Sequence, residues 1–166
     1  LQKRFVLPSE TPLVPGNVHR AKEVQVGVGG KGQDVAVTLS CLQFQRDMQL
    51  AQFVGSGAEG DTVQNMLEEL LGKPAMALTV RTASGMRTCT SIVGSDATTE
   101  LVEPSGTIAE DEMEELMGKL QKVQASALCI MGSMPPGCSD DTYAKIYKNV
   151  AVKGTLCLID SVAGLD

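Results

Sequence analysis

Gly27-Val28-Gly29-Gly30-Lys31-Gly32-Gln33-Asp34-Val35-Ala36 is the stretch on which the fold turns. Val24 to Val28 before it reads as a strand. Asp34 to Phe44 after it reads as a helix, with Val35, Leu39 and Leu42 on one stripe. Glycines at such a junction let backbone N–H groups approach an anion or a hydroxyl, and the helix that follows points its positive end at the same spot. Lys31 adds a charge. The spacing also matches GxGxxG at Gly27, Gly29 and Gly32, but a dinucleotide site needs an acid about 20 residues further on. Leu50 to Val54 occupies that place and contains none. A Walker A loop fails as well, because Lys31 is followed by Gly32 and not by Ser or Thr. The loop reads as a site for a small polar ligand.

Outward from this loop, strands and helices alternate. Gln49 to Val54 is a short strand. Thr62 to Leu71 carries Val63, Met66, Leu67 and Leu70 at helical spacing, with Gly72 as its stop. Residues 76–81 and 87–103 are rich in Thr, Val and Ile and are broken by Ser84-Gly85 and Gly94-Ser95-Asp96, the pattern of antiparallel strands. Thr107 with Glu110 three residues on predicts a capping box, ahead of a stripe of Met113, Leu116, Met117 and Leu120. Ala127 to Met131 and Leu156 to Ile159 are continuous apolar runs, expected as parallel strands buried on both faces. Between them Ser139 is the expected cap of a helix over 140–152, with Gly154 ending it. Strand, helix, strand at this spacing is the crossover unit of an α/β sheet.

Composition limits the function. The chain has 166 residues, 43% of them apolar, and a net charge of −6. Scattered basic residues on an acidic chain do not make the patch that a nucleic acid requires. No apolar run reaches the roughly 18 residues that span a bilayer. The five cysteines, Cys41, Cys89, Cys129, Cys138 and Cys157, include no CxxC pair. They read as buried reduced thiols of a cytoplasm or an organelle matrix. His19, the only histidine, has no companion at metal-ligand spacing and is a weak basis for a triad, so no metal site is expected. The first residue is Leu1, and the chain reads as part of a longer one.

Five blocks carry a resemblance. Gly29 to Ala36 resembles the GGKGxNxA stretch of PfkB-type, or ribokinase-like, carbohydrate kinases. Gly55-Ser56-Gly57-Ala58-Glu59-Gly60-Asp61 with Leu67 looks like that family's strand-end glycines and following helix. Thr99-Glu100-Leu101-Val102-Glu103-Pro104 is similar to a segment of the hexose-phosphate branch, the 1-phosphofructokinases and tagatose-6-phosphate kinases. Gly132-Ser133-Met134-Pro135-Pro136-Gly137 resembles its GSLPPG turn, and Ile159-Asp160-Ser161 its strand ending in Asp-Ser.

The resemblance implies a three-layer α/β/α sandwich with a small β lid, truncated to its N-terminal half. Lid strands would fall within 3–28 and 76–103, and the core within 29–72 and 107–166. It implies transfer of the γ-phosphoryl of ATP, with Mg2+, to a hydroxyl of a small sugar or sugar phosphate, and a possible homodimer through the lid. The catalytic aspartate and the anion hole belong to a GAGD motif that this chain lacks, so no catalytic residue is expected here. Asp61 reads as a helix-start acid. By position, the resemblance implies that Gly29, Gly30 and Lys31 would face the sugar and that Ser133 would lie beside it. It implies that Arg87 would bind a sugar phosphate, for which a bidentate guanidinium is suited, and that Arg20 would be a second lid arginine.

Two positions depart from the pattern. The family's Asn is Asp34 here, and its early Asp falls near Gln2. Both touch sugar hydroxyls in the family, so Asp34 and Gln2 are candidate sugar contacts with altered preference. Gly164 comes late after Asp160-Ser161. These departures keep open an alternative, a catalytically inactive kinase-like protein used for binding or assembly.

Overall fold

Apolar spacing decides how each strand is used. The computed structural model describes residues 1–43 and 48–161. Phe44 and Gly164 lie outside these described residues. Along the chain come β1 (Gln2–Val6), β2 (Glu23–Gly27), α1 (Lys31–Cys41), β3 (Gln52–Ser56), α2 (Gly57–Leu71), a 3-10 turn (Lys73–Met76), β4 (Thr79–Gly85), β5 (Cys89–Val93), β6 (Thr98–Val102), α3 (Glu110–Leu120), β7 (Ala125–Met131), α4 (Thr142–Val150) and β8 (Ala151–Asp160).

Strands with alternating side chains build a four-stranded sheet in the order β2-β1-β5-β6. Two antiparallel hairpins meet through the parallel pair β1–β5. The β5–β6 hairpin closes with Gly94 N–H on Ala97 O at 2.9 Å, at the expected Gly94-Ser95-Asp96 turn. The register puts Phe5, Val24, Val26, Ile92 and Leu101 on one face, and Gln2, Arg4, Gln25, Ser91 and Glu100 on the other. This sheet holds the strands that the resemblance implies for a lid.

The remaining strands form two parallel pairs, β3–β4 and β7–β8. The antiparallel strand expected over 76–81 is corrected here. Residues 73–76 form the 3-10 turn, with Pro74 near its start, and the strand begins at Thr79, parallel to β3. Val80 is fully buried, as a core strand requires and a lid strand does not. One apolar cluster joins α1 and α2 to β3 through Ala36, Val54, Val63 and Leu67. A second joins α3 and α4 to β4 and β7 through Val80, Leu116, Leu120 and Val150. Each fully buried Val or Leu contributes about 1.5–3 kcal/mol.

Helix ends differ from expectation for local reasons. α1 starts at Lys31, three residues early, with Gly30 at φ 151 as its N-cap. Its buried stripe is Gln33, Ala36 and Ser40 instead of Val35, Leu39 and Leu42. Small inward residues let α1 approach α2, where Ser40 Oγ donates to Leu70 O at 3.2 Å. α2 starts directly at the end of β3. This tight join needs Gly60, since a Cβ there would fall on the Gly55 carbonyl oxygen. The expected Thr107/Glu110 box moves two residues: Glu112 Oε2 accepts the Ala109 N–H at 2.8 Å. Ala109 has no side-chain oxygen to return the bond, so half of the reciprocal pair forms. The N-cap of α4 is Asp141, not Ser139, and Ser139 Oγ donates to Asp141 Oδ1 at 2.5 Å. That bond first, then Lys145, holds the Asp141 carboxyl below its ordinary pKa. α4 stops at Val150. Gly154, expected as the helix stop, lies at φ 93 inside β8, where the pairing with β7 shifts between Ala125 and Ala127.

The expected two-sided burial of β7 and β8 is not met by the described residues. Leu156, Leu158 and Ile159 are 71%, 51% and 44% exposed. All five cysteines are free thiols, and Cys41 and Cys129 are exposed instead of buried. Among the described residues, no helix is long and apolar enough to cross a membrane.

Candidate functional site

The glycine loop, the β4–β5 connection, the turn after β7 and the end of β8 converge on one cavity of about 620 Å³. Gly30, Lys31, Arg87, Ser133 and Asp160 line its polar wall. Met113, Leu116, Met131 and Ile146 make its apolar floor. A few aimed polar groups over an apolar base is the usual build of a small-molecule site.

Each wall is held by its own contacts. The first intrahelical bond of α1 runs from Asp34 N–H to Gly30 O at 2.9 Å. The N–H groups of Lys31, Gly32 and Gln33 therefore lie ahead of the helix ladder, and no side chain caps them. Lys31 Nζ lies 2.8 Å from Asp160 Oδ2, joining the first and last blocks of the sequence. Both side chains are more than half exposed. Such a pair is worth about 1 kcal/mol or less, so a bound anion can draw Lys31 away at little cost.

The Gly132–Gly137 turn is anchored at three points. Gly132 N–H donates to Asp160 O at 3.0 Å, and Tyr143 OH donates to Gly132 O at 2.8 Å. Ile108 N–H donates to Pro136 O at 2.8 Å. Gly137 closes the turn at φ 93, and a Cβ there would strike the Ile108 carbonyl oxygen. Ser133 is thereby fixed in place, with its side chain exposed at the wall. Burial pushes the Cys138 thiol and the Tyr143 phenol up from their ordinary pKa values. Cys138 therefore faces the cavity as a neutral thiol and not as a thiolate nucleophile.

Arg87 projects from the β4–β5 connection. Its Nη1 donates to Ser105 Oγ at 2.7 Å. Gly29 packs on Gln2, whose Cβ a side chain at 29 would meet at 2.9 Å, so these two candidates are neighbours beside the loop. Asp34 is exposed in the first turn of α1 and is not part of the cavity wall. Arg20 is exposed in the β1–β2 connection and does not line it either. The His19 ring is occupied locally, with Nε2 3.0 Å from Val14 N. Asp61 is engaged by Arg81 at 2.8 Å, consistent with a structural acid.

Sequence reasoning missed four residues that shape this site. Asp160 was readable only as a block end, and its partner Lys31 is over a hundred positions away. Tyr143 and Ser105 lie outside every block. Gln33 is buried on the inner stripe of α1 and donates through Nε2 to Gln52 Oε1 at 2.8 Å. A glutamine on an otherwise small, inward stripe was its only signal. Among the described residues, no group of three or more His, Cys, Asp or Glu could hold a metal ion.

The chain is 30% identical over 146 residues to a tagatose-6-phosphate kinase of Staphylococcus epidermidis, covering 87% of this chain and 45% of the relative. The chain thus spans about half the length of the relatives it matches. Phosphofructokinase-2 from Escherichia coli, solved with substrates and products, superposes with a TM-score of 0.78 at 21% identity, covering 97% of this chain and 50% of that one. A ribokinase from Thermotoga maritima superposes with a TM-score of 0.65 at 17% identity, over 96% and 48% of the two chains. The fold is ribokinase-like. The sequence profile described as pfkB family carbohydrate kinase matches residues 4–163, and on that match over nearly its whole length the chain belongs to the pfkB family of carbohydrate kinases.

Proposed function

We propose that the full-length protein transfers a phosphoryl group from ATP to a hydroxyl of a sugar phosphate, and that residues 1–166 supply the acceptor side of its site. The observation that carries this reading is the convergence of Lys31, Arg87 and Ser133, from three distant segments, on one cavity wall. Two cations suit a phosphorylated sugar better than a neutral one. The tagatose-6-phosphate kinase relative supports the same substrate class. Gly30 lines the cavity and would meet sugar hydroxyls, whereas Gly29 and Gln2 stand beside the loop outside the cavity wall. Asp34 and Arg20 would reach the ligand only at the mouth.

ATP and Mg2+ are implied by the family. The described residues do not fit them: Asp160 is the one acid on the cavity wall, and Lys31 already neutralises it. The apolar lid face, with Val24, Val26 and Leu101 each nearly half exposed or more, suits a homodimer through the lid. Five free thiols suit the reducing cytoplasm or an organelle matrix.

The test is turnover by the full-length protein with ATP and Mg2+, offered fructose 1-phosphate, fructose 6-phosphate, tagatose 6-phosphate, fructose and ribose. At least one hexose phosphate should be consumed in preference to the neutral sugars, and residues 1–166 alone should be inactive. Preference for a neutral sugar would contradict the reading.

The exposed Asp34 favours the second reading, an inactive relative that only binds. Asp34→Asn separates the two. If Asp34 accepts sugar hydroxyls, losing the charged hydrogen bond should weaken binding by about 1–3 kcal/mol. If Asp34 is a defect, the substitution should improve binding or activity.

A further inference from the structure

The segment between β6 and α3 makes contacts that the proposed function does not explain. Residues 103–109 run as a strap from the lid to the core. At its lid end Glu103 Oε2 accepts the Thr88 N–H at 2.7 Å. In its middle Ser105 Oγ accepts from Arg87 Nη1 at 2.7 Å. At its core end Thr107 O accepts from Ser84 Oγ at 2.6 Å, and Ile108 N–H holds the turn that carries Ser133. Glu112, nine-tenths buried, ties the strap to β4 by accepting both the Ala83 and Ala109 N–H groups, at 2.6 and 2.8 Å.

Arg87 itself is exposed, and an unpaired arginine on a loop samples many rotamers. Ser105 is half-buried and does not line the cavity, so it stands behind the guanidinium and not beside a ligand. It uses one Arg87 donor and leaves the other four for an anion. Gly106, next to it, packs on Ser84 with no room for a side chain, which fixes the serine backbone.

We propose that Ser105 is a positioning residue: it sets the Arg87 guanidinium in the cavity wall and thereby determines selectivity for a phosphorylated over a neutral sugar. This rests on the reading that Arg87 holds the sugar phosphate. Removing the hydroxyl releases Arg87 without touching substrate. The loss should therefore appear in affinity for the phosphorylated acceptor, not in turnover at saturation.

The experiment is a double-mutant cycle in the full-length protein, with Ser105→Ala, Arg87→Ala and both together, plus Ser105→Thr. Affinity for fructose 6-phosphate and for fructose is measured by calorimetry, and KM and kcat alongside. Ser105→Ala should weaken fructose 6-phosphate binding about fivefold to tenfold, the scale of one ordinary hydrogen bond and less than the loss of Arg87 itself. Fructose binding, kcat and melting temperature should hold, and Ser105→Thr should restore affinity. The double variant should match Arg87→Ala alone. Additive losses, or a Ser105→Ala protein that binds fructose 6-phosphate as the wild type does, overturn the proposal while leaving Arg87 as the phosphate ligand. An Arg87→Ala protein with unchanged affinity overturns the underlying reading, and the proposal with it.

Discussion

The two parallel strand pairs are covered in the reverse order of their apolar content. β3 and β4 place Val54 and Val80 at zero exposure, with α1 and α2 on one side and α3 on the other. β7 and β8 carry the longer apolar runs, yet Leu156 is 71% exposed; α1 and α4 pack on β7, and Leu156, Leu158 and Ile159 of β8 stay open. A continuous apolar run therefore records how much cover a strand is made for, not how much these residues provide. The site sits on the boundary between the two regimes, with Lys31 on the sealed side and Asp160 at the end of the open pair.

The largest expected effect contrasts the two pairs directly. In residues 1–166, Val80→Asp puts a carboxylate into a sealed core and should cost more than about 4 kcal/mol, abolishing cooperative unfolding in urea. Leu156→Asp on the open strand should change stability by less than about 0.5 kcal/mol. In the full-length protein the second substitution should become severe as well. Equal losses in the short chain would break the contrast.

Next in size is Glu112→Ala. It leaves the Ala83 and Ala109 N–H groups without their acceptor in part-buried surroundings, and loss of the two bonds should cost about 1–3 kcal/mol in all. Chemical denaturation should show a lowered midpoint with an unchanged slope. A neutral result would mean that water replaces the carboxylate.

The open strands also bear on solution behaviour. Residues 1–166 should self-associate through exposed Leu156, Leu158 and Ile159 and the unpaired strand edges. Leu156→Lys with Leu158→Lys should reduce that association in gel filtration. A monodisperse wild-type monomer would contradict this expectation.

The smallest effect is a pH dependence. Burial raises the Tyr143 phenol above its ordinary value near 10. The unfolded chain then loses this proton first, so stability is level below about pH 10 and falls as pH rises beyond it. Tyr143→Phe should remove that decline. A variant with the same alkaline slope would show that another group causes it.

Much of this was legible in the sequence, and the misreadings share a cause. Periodicity located α2 and α3, because the stripes of Val63 and Leu67 and of Leu116 and Leu120 are local facts, whereas α1 turned another face inward and α4 was marked only by cap and stop residues. The partner of β4 was not local. Thr, Val and Ile suit a lid strand and a core strand equally, and only pairing with β3 distinguishes them. Caps moved by one to three residues because tertiary contacts overrode the local signals. Glu112 serves β4 as well as its own helix, and Asp141 is gripped by Ser139. In the site, motif blocks brought Gly30, Lys31, Arg87 and Ser133 to one cavity. They could not show Ser105 behind Arg87 or Asp160 against Lys31, which depend on how distant segments meet.

The central claim is that this cavity receives a phosphorylated sugar through Arg87. The most direct measurement is KM of the full-length protein for a sugar phosphate and for its neutral sugar, before and after Arg87→Ala. A charge-assisted contact of about 1.5–3 kcal/mol should raise KM for the sugar phosphate by roughly tenfold to a hundredfold and leave the neutral sugar nearly unchanged. An equal loss on both substrates would contradict the claim and make Arg87 a structural residue of the lid.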